Sequence, residues 1–249
     1  MAGALMMVSF DVWNTLLRLD VIYASIAGAA AKRLGVKGQE ALEAVINAYA
    51  EAKRARRKGL IPKDSDVVKV SRGILARSLR TGVEVVEEII DEAFKVVSPD
   101  ALVVKGALEA VKHVKDEGLL AVTIGNVLFW HSDKTVEALN KVGIGPLLDA
   151  QVYADRVGAP KPDRRIFFEA LSKFGVEPEQ ALHVGDGIVE DFGGALAAGM
   201  KAALVTSQVQ AVLNIGTDIY FIPSVAYVPN ILKIIRDGVP APRPEVKTP

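Results

Sequence analysis

Four charged residues could do chemistry together, and two of them stand where short apolar runs stop. The run Leu5 to Phe10 ends on Asp11, and the run Ala181 to Val184 ends on Gly185-Asp186, with Asp191 five residues further on. Lys161 sits in the loop Gly158-Ala-Pro-Lys-Pro162, just ahead of an apolar helical pattern. Carboxylate oxygens gathered around one opening suit Mg²⁺, a hard ion that keeps several waters and takes one or two carboxylates plus a substrate phosphate. An aspartate can also act as a covalent nucleophile, splitting one hard displacement into two easier steps. A lysine ammonium beside it would neutralise both the nucleophile and the charge on the group being transferred.

These residues need elements that bring them together. Val8 and Phe10 mark the first run as a buried strand of a parallel sheet, with Asp11 at its C-terminal end. From Val21 to about Phe94 the pattern becomes helical: Leu42, Val45, Ile46 and Tyr49 recur at helical spacing, and so do Val86, Ile89, Ile90 and Ala93. After Ser98-Pro99, strands and helices alternate. Ala107, Ala110, Val111 and Val114 predict a helix that Gly118 can end, and Leu119 to Ile124 predicts a strand. Phe167, Ala170, Leu171 and Phe174 mark a helix stopped at Gly175. Ala181 to Val184, Ala202 to Thr206 and Tyr220 to Ile222 read as strands, with the Ala/Gly-rich stretch Asp191 to Gly199 helical. This alternation implies an α/β fold, a doubly wound parallel sheet covered by helices on both faces. Residues 1–17 and 98–237 then form the core, 18–97 a smaller all-helical cap, and 238–249 a Pro-rich tail. In such sheets ligands bind at the carboxyl ends of the strands, which selects Asp11, Gly125-Asn126 and Gly185-Asp186.

Composition narrows the function. The chain has 249 residues, half of them hydrophobic, and 30 basic residues balance 30 acidic ones. A zero net charge argues against a dedicated nucleic-acid or acidic-membrane binder. The absence of cysteine removes disulfides, thiol nucleophiles and Cys-ligated metal centres. No apolar run reaches the roughly 20 residues of a membrane span. The segment Met1 to Phe10 carries no Lys or Arg that would open a signal peptide, so a cytoplasmic protein is expected. Three scattered histidines make no zinc site: His183 reads as a satisfied core residue, and His113 and His131 as surface residues.

With these pieces in order, the chain resembles the haloacid dehalogenase (HAD) superfamily. Its first motif is similar to Phe10-Asp11-Val-Trp13-Asn-Thr15-Leu16, its third to Lys161-Pro162, and its fourth to Val184-Gly185-Asp186 with Asp191. The helical insert directly after the first motif is similar to that superfamily's cap. The resemblance implies that Asp11 is the nucleophile, that the Trp13 carbonyl ligates Mg²⁺, and that Thr15 braces the loop. It further implies that Lys161 balances charge and that Asp186 and Asp191 hold the metal. Two departures stand out. Superfamily phosphatases have a second Asp two residues after the nucleophile; here it is Trp13, which cannot exchange a proton. The second motif's hydroxyl position is Gly125 in Thr123-Ile124-Gly125-Asn126, leaving backbone N–H groups at Gly125 and Asn126 to bind an oxyanion.

The expected activity is that of a Mg²⁺-dependent hydrolase, a phosphatase acting on a small phosphorylated metabolite. Two alternatives follow from the departures. One is a metal-independent dehalogenase-like hydrolase, suggested by the aromatic residue at position 13; the other is a catalytically weak relative acting as a binding protein. In the cap, the run Lys53-Arg54-Ala55-Arg56-Arg57-Lys58 is either a solvated helix end or a source of cations for an anionic substrate. Arg54 and Arg57 are the candidates there, and Arg18 is a further one.

Overall fold

The computed structural model describes residues 4–61 and 65–238, so the tail from 239 onward lies outside the described residues. The chain opens with β1 (Met7–Phe10), every residue of which is buried. Four helices follow: α1 (Leu19–Leu34), α2 (Gly38–Arg57), α3 (Val67–Ser78) and α4 (Val83–Val96). They pack on one another, α1 against α2 and α4, and α3 against α2 and α4. Asp66 caps α3 by accepting from the Val68 and Lys69 N–H groups, satisfying donors that a helix start leaves open. Gly35 ends α1 with φ 68°, the left-handed conformation that glycine adopts without strain.

The face that α2 buries differs from the one its sequence predicted. Ala41, Val45, Ala48 and Ala52 are buried, whereas Ile46 is 49% exposed. The tight approach of α1 and α3 selects the small side chains of α2 and leaves the larger ones at its edge.

The rest of the chain alternates in its secondary structure. It continues as α5 (Pro99–Leu102), α6 (Ala107–Asp116), β2 (Leu120–Gly125), α7 (Ser132–Lys141), β3 (Ala150–Tyr153), α8 (Ala154–Val157) and α9 (Arg164–Ser172). After β4 (Ala181–Gly185) come a π-helical turn, Ile188–Gly193, and α10 (Gly194–Ala197). The last elements are β5 (Lys201–Val205), β6 (Leu213–Ile215), β7 (Ile219–Ile222) and α11 (Val228–Asp237). The strands form one seven-stranded sheet in the order β3-β2-β1-β4-β5-β7-β6, parallel except for the edge strand β6. β3 and β6 carry no apolar run that the sequence separates from a loop; pairing with β2 and β7 supplies what their own side chains do not.

Side chains alternate across the sheet with period two. Val8, Phe10, Leu182 and Val184 join the core on one face, which also includes α6 and the buried residues of α1, α2 and α4. Met7, Val122, Ile124 and Ala202 join the core under α9 and α10 on the other. The order reverses at β1, which has β2 on one side and β4 on the other, so Asp11 leaves the sheet at its topological switch point. No helix among the described residues is long and apolar enough to cross a membrane.

Candidate active site

Asp11 is fixed by its backbone: its N–H donates to the Val184 carbonyl across the ends of β1 and β4 (2.8 Å). Its side chain meets Lys161, whose ammonium is 1% exposed. Lys161 Nζ lies 2.7 Å from Asp11 Oδ1 and 2.6 Å from Asp191 Oδ1, and also donates to the Ile124 carbonyl. All three ammonium protons are thereby used. The lysine is aimed by Asn126, whose side-chain oxygen accepts from the Lys161 N–H (2.8 Å) and whose side-chain nitrogen donates to the Lys161 carbonyl (3.1 Å).

The π-helical turn after β4 sets Glu190 and Asp191 side by side, both buried. Asp191 is held on every side. Its Oδ2 accepts from the Gly187 N–H (2.8 Å), and its Oδ1 faces His183 Nε2 at 3.4 Å as well as the lysine. His183 is buried and meets the Ser9 hydroxyl at 2.9 Å, which satisfies it as a core histidine. Gly185 is required here: a Cβ would lie 2.5 Å from the Asp191 carboxyl carbon.

Electrostatics separates the carboxyl groups. Burial pushes Asp11 up to about 7, with Asp191 and Asp186 adding to the rise and Lys161 opposing it. Burial also pushes on Asp191, but Lys161 and His183 together carry it well below the usual carboxylate range. Asp186 is raised by burial and by Asp191. Burial works against the Lys161 charge, yet Asp11 and Asp191 outweigh it and hold the ammonium protonated.

The donor set fits a hard cation. Asp11, Asp186 and Asp191 each offer an oxygen, all within 4.8 Å of one another. Asp11 Oδ2 accepts no hydrogen bond among the described residues. The loop bonds from Asn14 N–H to the Leu17 carbonyl and from Leu17 N–H to the Val12 carbonyl close around Trp13 and leave its own carbonyl out. Oxygen ligands of this kind, few and partly spare, match an ion that retains water. Both Asp191 oxygens are already engaged, so Asp11 and Asp186 are the carboxylates with capacity to spare for an ion.

One cavity of about 100 Å³ gathers Asp11, Trp13, Asn126, Lys161, Asp186 and Asp191. Thr15, Arg18 and Gly125, selected around the strand ends, lie outside it, as do Arg54 and Arg57 of the basic run. Arg18 precedes α1 and pairs with Asp20, away from the cavity, because the chain turns outward there into the cap. Thr15 is fully buried and its hydroxyl has no partner among the described residues, so the loop is braced by backbone bonds to Val12 rather than by this side chain. Gly125 closes the end of β2 against Tyr153, whose ring a Cβ would meet at 2.7 Å, which leaves no room for a hydroxyl-bearing residue. The Asn126 side chain lines the cavity and uses its oxygen and one of its two N–H donors on the Lys161 backbone, which leaves one N–H donor. Trp13 is wedged among aromatics, 5.2 Å from Trp130 and 6.3 Å from Phe94, its indole N–H donating to the Thr135 hydroxyl (3.3 Å).

The cap places other members of the basic run at the cavity than Arg54 and Arg57. Lys53 and Arg56 line the cavity, while Arg54 is exposed. Arg57 instead ties cap to core, donating twice to the Glu190 carboxylate at 2.7 Å each. Burial raises Glu190, but the Arg57 hydrogen bonds prevail and it stays below its ordinary value. Arg57→Ala is expected to lower stability by about 1–3 kcal/mol, because Glu190 stays buried and its remaining ion-pair partner, Arg56, is at 3.6 Å. Chemical denaturation of the variant measures this, and a midpoint equal to wild type would contradict it.

Comparison with known proteins adds an independent line. A family profile described as "Hydrolase: haloacid dehalogenase-like hydrolase" matches residues 5–199. A mouse protein, haloacid dehalogenase-like hydrolase domain-containing protein 3, is 38% identical over 104 residues, 41% of this chain and 39% of its own length. A glyceraldehyde 3-phosphate phosphatase of Methanothermobacter thermautotrophicus is 45% identical over 75 residues, 30% of this chain and 33% of its own. The matched stretches thus span well under half of either relative. Among solved structures, a HAD-hydrolase of Bacillus subtilis bound to magnesium superposes with a TM-score of 0.72 at 15% identity, covering 93% of this chain and all of the other. At that identity the likeness concerns the fold alone.

Proposed function

The chain belongs to the haloacid dehalogenase-like hydrolases, and from that premise we propose that it is a Mg²⁺-dependent phosphatase acting on a small phosphorylated substrate through a covalent intermediate on Asp11. The observation that carries this reading is the pairing of Asp11 with the fully buried Lys161 beside two further carboxylates. The phosphatase names of relatives such as the Methanothermobacter enzyme support the substrate class. The division into a core and a cap spanning residues 18–97 belongs to the same reading.

Lys161 holds Asp11 Oδ1 in place and leaves Oδ2 to attack phosphorus. The bond from phosphorus to the leaving oxygen breaks, and a phosphoryl group remains on Asp11. Water then attacks phosphorus, releasing inorganic phosphate and restoring the carboxylate. Asp11 and Asp186, with the Trp13 carbonyl, would hold Mg²⁺, and Asp191 would support it while fixing Lys161. When bound, the ion supplies positive charge that offsets the repulsion between Asp11 and an anionic phosphate. Trp13 offers no proton to the leaving group, and its indole N–H is directed at Thr135.

That last feature gives the reading a distinctive signature. Loss of general-acid assistance costs about 10²- to 10⁴-fold when the leaving group is poor and little when it is good. p-Nitrophenyl phosphate is therefore expected to be hydrolysed far faster than simple alkyl phosphates, and chelation with EDTA to abolish turnover of both. Equal rates on the two would contradict the role given to Trp13. The aromatic at position 13 also favours a second reading, a metal-independent dehalogenase-like hydrolase; halide release from a 2-haloacid, insensitive to EDTA, would establish it in place of the first.

A further inference from the structure

The cavity has a second charged wall that the chemistry above does not use. Three cations line it: Lys161, Lys53 and Arg56. Lys161 is satisfied by Asp11 and Asp191. Arg56 is not comparably satisfied. Its side chain is 16% exposed, and its nearest carboxylate oxygen is Glu190 Oε1 at 3.6 Å. That oxygen already accepts from Arg57 at 2.7 Å, and the other Glu190 oxygen is also taken by Arg57. Lys53 has no ion pair among the described residues; its ammonium stands 5.6 Å from the centre of the Tyr49 ring, a cation–π contact.

A guanidinium withdrawn from water without a close counter-charge is costly unless something supplies that charge. Arg56 and Lys53 stand three residues apart on α2, so their side chains share one face of the helix. Tyr23 and Tyr49 line the cavity beside them and add hydroxyl groups to the same wall. The floor of the cavity, by contrast, is made of Asp11, Asp186 and Asp191. The space between is about 100 Å³, small against the 300–1,000 Å³ of sites for larger organic ligands.

We propose that Arg56 and Lys53 form a second anion subsite facing Asp11, so that the preferred ligand is a short carbon chain bearing a phosphate at one end and a second anionic group at the other. This deepens the phosphatase reading and rests on it for which end of the ligand meets Asp11. The second group is a carboxylate or a second phosphate, whose oxygens both match a guanidinium fork. The small cavity limits the number of carbons between the two ends. A phosphomonoester whose far end is uncharged would leave Arg56 with only the distant Glu190 carboxylate at 3.6 Å.

The test is equilibrium binding by calorimetry to the full chain carrying Asp11→Asn, in MgCl₂. Three probes that share a two-carbon backbone are used: 2-phosphoglycolate, ethylene bisphosphate and ethyl phosphate. The expected result is that at least one dianionic-ended probe binds about 10- to 100-fold more tightly than ethyl phosphate. Whichever of the two is tighter identifies the second group. Arg56→Gln and Lys53→Gln, each added to that background, are expected to bring the ratio close to one, and Arg56→Lys to recover part of it. Equal binding of all three probes, or a ratio unchanged within twofold in both Gln variants, would overturn the proposal. Lys53→Gln keeps the test open if Arg56→Gln fails to fold. The phosphatase reading fails on a different result, namely no Asp11-dependent phosphate release by the wild type, which leaves the binding ratio to be judged on its own.

Discussion

Lys161→Met is expected to destabilise the protein by about 3–5 kcal/mol at pH 8, the range typical of removing one partner from a buried charge cluster. The ammonium is 1% exposed and contacts Asp11 and Asp191, so its loss leaves two buried carboxylates facing each other across 4.8 Å or less. Without the lysine, burial and mutual repulsion push both groups upward, above their ordinary value of 3.8. The folded variant would then retain protons that the unfolded chain has released. Its deficit is therefore largest at high pH and shrinks as pH falls toward 4. Denaturation of wild type and variant at pH 5 and pH 8, in EDTA, checks both the size and the sign. A variant as stable as wild type at pH 8 would show that Lys161 is not the counter-charge of this site.

Asp11→Asn is expected to change activity and stability in opposite directions. Removing a covalent nucleophile should lower kcat for phosphate release by at least about 10⁴-fold. In EDTA the same change should stabilise the fold at neutral and alkaline pH. Asp11 has a folded pKa of about 7, raised from 3.8 by burial and by the neighbouring acids. Between those two values the folded chain holds a proton that the unfolded chain has lost, so wild-type stability falls as pH rises from 4 to 7 and then levels off. Asparagine cannot titrate, and this slope should vanish from the variant. Mg²⁺ should restore stability to the wild type more than to the variant, because a ligand stabilises in proportion to its affinity for the folded state. A variant with wild-type turnover, or one less stable than wild type at pH 8 in EDTA, would contradict the assignment of Asp11.

The site was readable in the sequence to the extent that its residues sit at strand ends. Asp11 and Asp186 each follow an apolar run short enough to be a buried strand, and a parallel sheet aligns such ends at one edge. Lys161 carries no such local mark; proximity to Asp11 arises from a loop whose course is set by Asn126, through two hydrogen bonds that spacing alone does not disclose. Within the basic run, Lys53 and Arg56 line the cavity, whereas the candidates Arg54 and Arg57 do not. Ala41, Val45, Ala48 and Ala52 define the buried face of α2, and continuing that phase reaches position 56, between the two arginines first selected. The larger Leu42, Ile46 and Tyr49 drew the face toward themselves, although Ile46 is 49% exposed. Gly125 was legible as a departure but not its reason, the Tyr153 ring arriving from β3, a strand whose own sequence gives little sign of it. Thr15 is a candidate through the family resemblance and Arg18 through nearness to Asp11, and the turn into the cap carries both away from the cavity.

The central claim is that a phosphoryl group passes through Asp11. Rapid mixing with p-nitrophenyl phosphate and MgCl₂, acid quenching within the first turnover, and mass spectrometry of the peptide containing Asp11 address it directly. The account expects that peptide to carry the mass of one phosphoryl group, at a level that decays with turnover and is absent in Asp11→Asn or in EDTA. Sustained Mg²⁺-dependent phosphate release with no modification of Asp11 at any time point, or modification of a different residue, would contradict it.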